Sequence, residues 1–466
     1  MEIKIYAVLS LLPFIYVIRK VVKRQDLTCF DLILTFHTLY FAVVPLVSDV
    51  DNIEYKIVRN NSEVHFLTFF FYNMFAYMLC IADSILKRRK GFYLYNLTAL
   101  IRYAVNKIIQ KQNIVWLIFA IEIFLWFMQS VSTILLFERG VRSLEDEREA
   151  VRAINTPIIM LSMSLSHLMK IFCLFLFSSV ILTTDKVKRQ AGGGRLFIYV
   201  LAISFVLLLL QGSRTVFVNY LIFIGVMYYS LTNNRIKFSV ALKGCVMLIF
   251  IYFLVFPMVS TYRNARKRSV MSGNISLIES IKGSIKEIRR SNVNTAESDN
   301  KDTRIWNVYQ IYALSMANPK NYNGVLTANA ISIGIPRVIL PSKSITGSQL
   351  ILEEGLGVFT DTADSVLLMT NMENHYLGNF YALFIFWSLV AITNWLMMFF
   401  YRMSREIYFI PIYIGAMYQH CCKVESTPDG FLSGFLQLVL LSFFLWGVFY
   451  VCNKMFSKNS TSIVRS

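Results

Sequence analysis

The chain has 466 residues, of which 56% are hydrophobic and only 16% are charged. Soluble domains contain about 45–50% apolar and about 25% charged residues, so this composition excludes an ordinary soluble enzyme and indicates an integral membrane protein. The formal net charge of +18 does not indicate a nucleic-acid partner, because no RNA- or DNA-binding motif accompanies it.

Apolar runs near membrane-spanning length predict eleven transmembrane helices. The predicted spans are 3–18, 27–47, 64–86, 114–136, 157–183, 196–211, 215–231, 244–259, 376–400, 407–421 and 432–451. The predicted fold class is therefore all-α, a polytopic membrane protein in three regions. Residues 1–259 hold the first eight spans, 260–375 form a large, partly helical outer loop, and 376–466 hold the last three spans and a tail.

Basic residues concentrate in the loops that follow the odd-numbered spans, beginning with RKVVKR at 19–24. That segment also favours a membrane helix over a signal peptide, because no cleavage site follows the first apolar run. The positive-inside rule places these loops and the carboxyl terminus in the cytoplasm and the amino terminus outside. Residues 92–111 carry apolar side chains at helical spacing, which predicts a helix lying on the cytoplasmic membrane surface.

Isolated polar residues interrupt several predicted spans, and a transporter would use such groups as a relay. They are Asp31, His37, Asp83, Glu122, His167 and Lys170. Asp31 and Asp83 lie near the predicted cytoplasmic ends of their spans, where contact with water explains them. Glu122 and Lys170 are predicted to pair across helices.

The loop 260–375 follows an even-numbered span and is therefore predicted to lie outside the cytoplasm. Ile305, Val308 and Tyr312 recur at helical spacing, which predicts a helix that stops at Asn318-Pro319. Further along, ISIGIPRVILPSKS carries two prolines and predicts an extended or re-entrant segment on the membrane face that holds Arg337.

Arginines are predicted to gather at the outer membrane boundary. Arg214 lies in the short turn QGSR between two spans, Arg263 and Arg266 follow the eighth span, and Arg337 lies in the outer loop. A guanidinium keeps its charge and fits phosphate oxygens, so this set predicts a site for a lipid-linked phosphate or pyrophosphate. The alternative for Arg263 and Arg266 is that they anchor a helix end by reaching to the interface.

The stretch NMENHYLGNF, at 371–380, places titratable groups just before a membrane span. Glu373 or His375 is predicted to act as a general base toward a hydroxyl acceptor, with Asp361 and Asp364 as upstream alternatives. Helical spacing puts Tyr376 on the face of Glu373. The alternative is an ordinary interfacial cluster at a helix entry. No motif for ATP-driven or metal-dependent chemistry occurs, so neither a cofactor nor a metal is expected.

Four stretches carry a resemblance to a known family. They are LLLLQGSRTVFVNYLIFIGVMYY (207–229), FPMVSTYRNARKR (256–268), IGIPRVILPSK (333–343) and ENHYLGNF (373–380). Together with the single large outer loop late in the chain, they resemble bacterial O-antigen and exopolysaccharide repeat-unit polymerases of the Wzy type. The last stretch departs from the family pattern of an acidic residue, tyrosine and Asn-Phe through the insertion of Leu377 and Gly378.

The resemblance implies a metal-independent glycosyltransferase of the GT-C kind at the periplasmic face of the inner membrane. Its substrate would be an undecaprenyl-pyrophosphate-linked oligosaccharide, and a chain-length regulator protein is a possible partner. Arg214, Arg263 and Arg337, with Arg266 nearby, would then hold the pyrophosphate. Glu373 or His375 would deprotonate or orient the acceptor hydroxyl, and Tyr376 would help to position sugar.

Three alternative functions stay open at this point. An O-antigen ligase would use the same chemistry with a different acceptor and would depend on an outer-loop histidine, here His375. A flippase for lipid-linked oligosaccharide would line a central cavity with charges and would lack a large outer loop. The third alternative is a membrane glycosyltransferase of another kind.

Overall fold

The structure is a computed structural model of the chain. It describes residues 2–47, 50–53, 55–87, 96–108, 214–236, 239, 242–244, 246, 303–317, 447 and 451. In this part of the chain the regular elements are helices, and no strand occurs. The chain divides into two compact units, Met1–Leu100 with Asp302–Ser466, and Ile101–Lys301.

The described elements of the first unit lie mostly near the amino terminus. In chain order they are α1 (Glu2–Leu9), α2 (Leu12–Val22), α3 (Cys29–Thr38), a π-helix (Leu39–Val43), α4 (Val44–Val47), a 3-10 helix (Val50–Asn52), α5 (Lys56–Arg59), α6 (Ser62–Lys87) and the start of α7 (Leu97–Ile108). Three stretches, Glu2–Val22, Cys29–Val47 and Ser62–Ile85, are long and apolar enough to cross a membrane. The first three predicted spans are therefore confirmed as helical segments of membrane-spanning length and composition.

The first candidate span is broken between α1 and α2. Pro13 stands at the start of α2 and has no backbone N–H to bond to the carbonyl of Leu9, so the helical ladder is interrupted there. Ser10, at the break, is fully buried, and its Oγ accepts a hydrogen bond from Asn73 Nδ2 at 2.8 Å. The break therefore provides a polar contact between the first and third candidate spans.

The second candidate span contains the π-helix, in which Val44 N–H donates to the carbonyl of Leu39. Pro45 follows directly and lacks the N–H that would bond to the carbonyl of Phe41, and the wider π turn accommodates this missing bond. Phe41 itself is fully buried. The π-helix thus places one large ring in the interior of the first unit.

The third candidate span, α6, presents an apolar stripe to its surroundings. Phe66, Phe70, Tyr77, Ile81 and Ile85 recur at helical spacing and are between 47% and 58% exposed. The opposite face is buried and carries Phe69, Tyr72, Phe75, Ala76 and Leu79. A continuous exposed apolar stripe of this kind suits contact with lipid tails.

Helix α7 confirms the helix predicted within residues 92–111. Asn96 caps it by accepting a hydrogen bond from Ala99 N–H through Oδ1 at 3.2 Å, and Leu97 is fully buried. Thr98 Oγ1 donates to Asp26 Oδ1 at 2.9 Å and accepts from Leu27 N–H at 3.2 Å. These bonds fasten the start of α7 to the turn between α2 and α3.

The second unit is described chiefly through α8 (Arg214–Leu231), which gives a helix over the predicted span 215–231. Helix α8 ends in a turn where Asn233 and Asn234 adopt positive φ angles of 53° and 59°, a conformation that asparagine tolerates better than most residues. The predicted spans between α7 and α8, and those after residue 243, lie almost wholly outside the described residues.

The helix predicted before Asn318-Pro319 is confirmed as α9 (Thr303–Ala317). It belongs to the first unit and packs against α4, α5, α6 and the π-helix. All residues from 308 to 316 are buried, so this stretch of α9 is enclosed on every face. A helix enclosed in this way is a core element, which means that part of the segment 260–375 helps to form the interior of the first unit.

Candidate functional site

The predicted site lies mostly outside the described residues. This holds for Arg263, Arg266, Arg337, Asp361, Asp364, Glu373, His375 and Tyr376. Arg214 is the first residue of α8, in the second unit. The predicted meeting of the arginines with the acidic–histidine segment therefore stays a prediction. The described residues instead contain two other polar clusters, both in the first unit.

The first cluster is ionic and joins all three candidate spans. Lys20 Nζ donates to both carboxylate oxygens of Asp31 at 2.8 Å and to Asp83 Oδ2 at 2.5 Å. The side chains of Lys20, Asp31 and Asp83 are 3%, 2% and 1% exposed. Each span supplies one charge, and all three ammonium protons of Lys20 are engaged.

Neutral donors complete this ionic cluster. Tyr16 Oη donates to Asp83 Oδ2 at 2.6 Å, and its ring centroid lies 4.9 Å from Lys20 Nζ. Thr28 Oγ1 donates to Asp83 Oδ1 at 2.7 Å, and Thr28 N–H donates to Asp31 Oδ2 at 2.8 Å. With two carboxylates and one ammonium the cluster is formally anionic, and these extra donors stabilise the second negative charge.

The prediction that water solvates Asp31 and Asp83 is wrong, because both carboxylates are buried against Lys20. Lys20, which the charge pattern assigns to the cytoplasmic flank RKVVKR, belongs to the same cluster. The sequence does hold a signal for this contact. Lys20 lies near the end of the first span, Asp31 near the start of the second and Asp83 near the end of the third. Antiparallel spans bring these three positions to one level.

Thr28 links the cap of α3 to the ionic cluster, because it forms a capping box with Asp31 and also bonds to Asp83. Thr28→Val keeps the side-chain shape and removes the hydroxyl. We expect the free energy of unfolding in mixed detergent micelles to fall by about 2 kcal/mol, from a lost cap and a lost bond to a carboxylate. Thr35→Val is the matched control, because Thr35 Oγ1 bonds only the Asp31 carbonyl within α3 among the described residues. This substitution should change stability by less than about 0.5 kcal/mol. If Thr28→Val and Thr35→Val lower the free energy of unfolding equally, the role assigned to Thr28 is contradicted.

The second cluster joins α6 to α9. His65 Nδ1 and Tyr309 Oη lie 2.8 Å apart, although 244 positions separate the two residues in the chain. Their rings are stacked, with centroids 5.9 Å apart and an interplanar angle of 17°. Phe69, one turn along α6, has its ring centroid 5.5 Å from that of Tyr309. A hydrogen bond and ring contacts thus hold α9 on the first turns of α6.

Phe41 is at the centre of this second cluster, which we call the aromatic cluster. Its members are His37, Phe41, His65, Tyr72, Tyr309 and Tyr312. The Phe41 ring stacks on Tyr72 with centroids 5.2 Å apart and meets Tyr312 edge-on at 5.5 Å. His37 lies parallel to Phe41 at 6.4 Å. The aromatic cluster therefore connects the π-helix, α6 and α9.

Within the described part of the chain, three polar atoms of the aromatic cluster have no hydrogen-bond partner: His37 Nε2, His65 Nε2 and Tyr312 Oη. All three side chains are at most 2% exposed. Burial raises the pKa of the Tyr309 and Tyr312 hydroxyls, so both stay protonated at physiological pH. A buried polar atom without a partner costs about 1–3 kcal/mol of folding free energy. Three such atoms in one cluster therefore lower the stability of the fold, which indicates that this place meets a requirement other than stability.

No protein-family model, curated protein or solved structure matches the chain. The residues and their geometry are therefore the basis for inferring function.

The two clusters lie at opposite ends of α6. His65 is in its first turn and Asp83 near its last residues, which separates them by about 27 Å along a helix axis. This distance is close to the thickness of a bilayer hydrocarbon core, about 30 Å. Sequence reasoning missed His65, because the second position of a predicted span resembles an ordinary interfacial residue, and no local pattern links it to Tyr309.

Proposed function

We propose that this chain is an integral membrane glycosyltransferase that polymerises undecaprenyl-pyrophosphate-linked oligosaccharide repeat units into O-antigen or a related surface polysaccharide. It spans the bacterial inner membrane eleven times, with a periplasmic amino terminus and a cytoplasmic carboxyl terminus. Support comes from the resemblance of the four quoted stretches, the distribution of basic residues and the three candidate membrane spans.

The observation that carries this proposal is the position of α9. Helix α9 comes from the segment 260–375 and meets the bundle at the His65 end of α6. The ionic cluster, the basic segment 19–24 and the start of α7 lie at the other end. If the basic end faces the cytoplasm, as the positive-inside rule requires, α9 faces the periplasm. A helix of the segment 260–375 that packs at the outer end of the bundle supports chemistry on that side of the membrane.

The reaction sets the roles of the predicted residues. A sugar hydroxyl of one lipid-linked unit attacks the anomeric carbon of another, a new C–O bond forms, and the bond from that carbon to pyrophosphate breaks. The leaving pyrophosphate gains negative charge, which Arg214, Arg263, Arg266 and Arg337 stabilise. The hydroxyl proton goes to a base, for which Glu373 and His375 are the predicted candidates, and Tyr376 positions sugar.

Deletion of the gene is the test of this proposal. We expect surface lipid to carry single repeat units and the polymer ladder to disappear, with full recovery on complementation. Arg214→Ala and Arg337→Ala should each abolish or strongly shorten the ladder at normal membrane abundance, because a proposed guanidinium–phosphate contact that stabilises the transition state is lost. Arg235→Ala is the matched control, because Arg235 is exposed just after α8 and has no proposed role.

The same experiment separates the alternatives. Normal ladders in both arginine variants would contradict the assigned pyrophosphate site. Long polymer that accumulates on its lipid carrier without reaching its final acceptor would indicate a ligase. Lipid-linked single units confined to the cytoplasmic leaflet would indicate a flippase. Either of the last two results would overturn the proposed polymerase.

A further inference from the structure

We propose that His65 is the general base that takes the proton from the acceptor hydroxyl, and that Tyr309 is its positioning residue. This inference rests on the proposed function and names a catalytic pair for it. It assigns to His65 the base role for which the sequence predicts Glu373 or His375. Four observations carry the inference: the position of His65, the bond at Nδ1, the unpartnered Nε2 and the contrast with His37.

The position of His65 suits a periplasmic reaction. It lies in the first turn of α6, at the end of the bundle where α9 docks. Because α9 comes from the segment 260–375, the imidazole joins the membrane bundle to the predicted outer loop. A group at this junction lies at the end of the bundle on which the proposed reaction takes place.

The two ring nitrogens of His65 have different surroundings. Nδ1 is 2.8 Å from Tyr309 Oη, whereas Nε2 has no hydrogen-bond partner among the residues that the structure describes. A catalytic base is typically held through one nitrogen by an orienting group while the other nitrogen faces the proton to be abstracted. With the proton on Nδ1, His65 donates to Tyr309 Oη and keeps the lone pair of Nε2 available.

Tyr309 is suited to position His65 without reacting itself. It is fully buried, and burial raises the pKa of its hydroxyl, so it remains neutral. Its ring stacks on the imidazole and packs against the rings of Phe41 and Phe69 at interplanar angles of 54° and 47°, which fixes the ring plane.

His37 provides a contrast within the same aromatic cluster. Its Nδ1 lies 2.9 Å from the carbonyl of Ile33 in the same helix, and its ring is enclosed by Phe41 and Phe75. It is as little exposed as His65, and its Nε2 also lacks a hydrogen-bond partner in the described part of the chain. Unlike His65, it makes no ring contact or hydrogen bond to α9 among the described residues. We therefore assign His37 a structural role and use it as the matched control.

The proton transfer completes the reaction without any further reactant. Nε2 accepts the proton as the O–H bond of the acceptor breaks, the oxygen forms its bond to the anomeric carbon, and the electron pair of the cleaved bond leaves with pyrophosphate. The imidazolium then returns its proton to water or to the released pyrophosphate. Because His65 is only 2% exposed, the hydroxyl reaches Nε2 only when α9 or the segment before α6 shifts.

The test uses the purified full-length protein and membranes of the deletion strain, whose accumulated lipid-linked single repeat units are the substrate. His65→Ala should lower the initial rate of polymer formation by about 10²–10⁴-fold, and His65→Gln should do the same with less disturbance of packing. Tyr309→Phe should lower it by about tenfold, the effect of one lost positioning hydrogen bond. His37→Gln should keep a rate close to that of the unaltered protein.

Chemical rescue distinguishes a catalytic role from a structural one. Added imidazole should restore part of the rate of His65→Ala and leave Tyr309→Phe unchanged, and both variants should keep their thermal unfolding midpoint within a few degrees. A folded His65→Gln with an undiminished rate would overturn the inference, as would a loss in His65→Ala that imidazole does not relieve and that His37→Gln shares. Failure of the unaltered protein to form polymer would instead overturn the proposed function.

Discussion

Replacing Lys20 with methionine is expected to lower the free energy of unfolding of the first unit by about 3–5 kcal/mol, because it leaves two buried carboxylates without their cation. The side chains of Asp31 and Asp83 are at most 2% exposed, so water does not solvate them in the folded state. The expected result is loss of the protein from the membrane fraction in cells. In mixed detergent micelles, the purified variant should unfold at a markedly lower denaturant concentration.

Two controls make the Lys20 experiment specific. Lys23→Met removes an equivalent charge from an exposed position one turn away and should change stability by less than about 0.5 kcal/mol. Lys20→Met combined with Asp31→Asn and Asp83→Asn removes all three charges and should recover most of the loss, because neutral side chains carry a smaller desolvation cost. If Lys20→Met alone unfolds within about 1 kcal/mol of the original protein, the buried ion cluster is not part of the folded state.

Phe41→Ala is the second substitution with a large expected effect. Phe41 is fully buried and its ring contacts those of Tyr72, Tyr309 and Tyr312. Removing it leaves a cavity between the π-helix, α6 and α9, at a cost of about 3–5 kcal/mol. Because the rings of Tyr309 and Tyr312 belong to α9, this helix should loosen before the rest of the unit does.

Hydrogen–deuterium exchange in lipid nanodiscs measures this loosening directly. Backbone amides of residues 303–317 should exchange about 10²-fold faster in Phe41→Ala, whereas those of α3 should change less. Phe70→Ala is the matched control, because Phe70 is 52% exposed on the outward stripe of α6. Unchanged exchange in α9 after loss of Phe41 would contradict the idea that the aromatic cluster holds this helix.

The helices of the first unit were predictable from the sequence because each depends on a local requirement. A span needs about twenty apolar residues, and the runs near Ile33 and Phe75 supply them. The helix before Asn318-Pro319 could be predicted in the same way, from the spacing of its apolar residues and the stop signal that follows them. The break at Pro13 and the π-helix were not predicted, although the proline that accompanies each is visible in the sequence.

The contacts between helices were not predictable in the same way. In the sequence, Lys20 resembles an ordinary basic residue of a cytoplasmic flank. Only the packing of three spans shows that it pairs with Asp31 and Asp83. His65 and Tyr309 are 244 positions apart, and their hydrogen bond depends on how a distant loop folds onto the bundle. Periodicity specifies which face of a helix is apolar, whereas the partner of a polar side chain is a property of the tertiary structure.

The central claim is that α9 and the aromatic cluster face the periplasm while the ionic cluster faces the cytoplasm. Single cysteines test it in a background in which the seven native cysteines are replaced. Asn60 follows α5, against which α9 packs, Lys23 follows the ionic cluster, and both residues are exposed. In spheroplasts, a membrane-impermeant maleimide should label Asn60→Cys directly and Lys23→Cys only after lysis. Labelling of Lys23→Cys before lysis, with Asn60→Cys protected, would contradict the account.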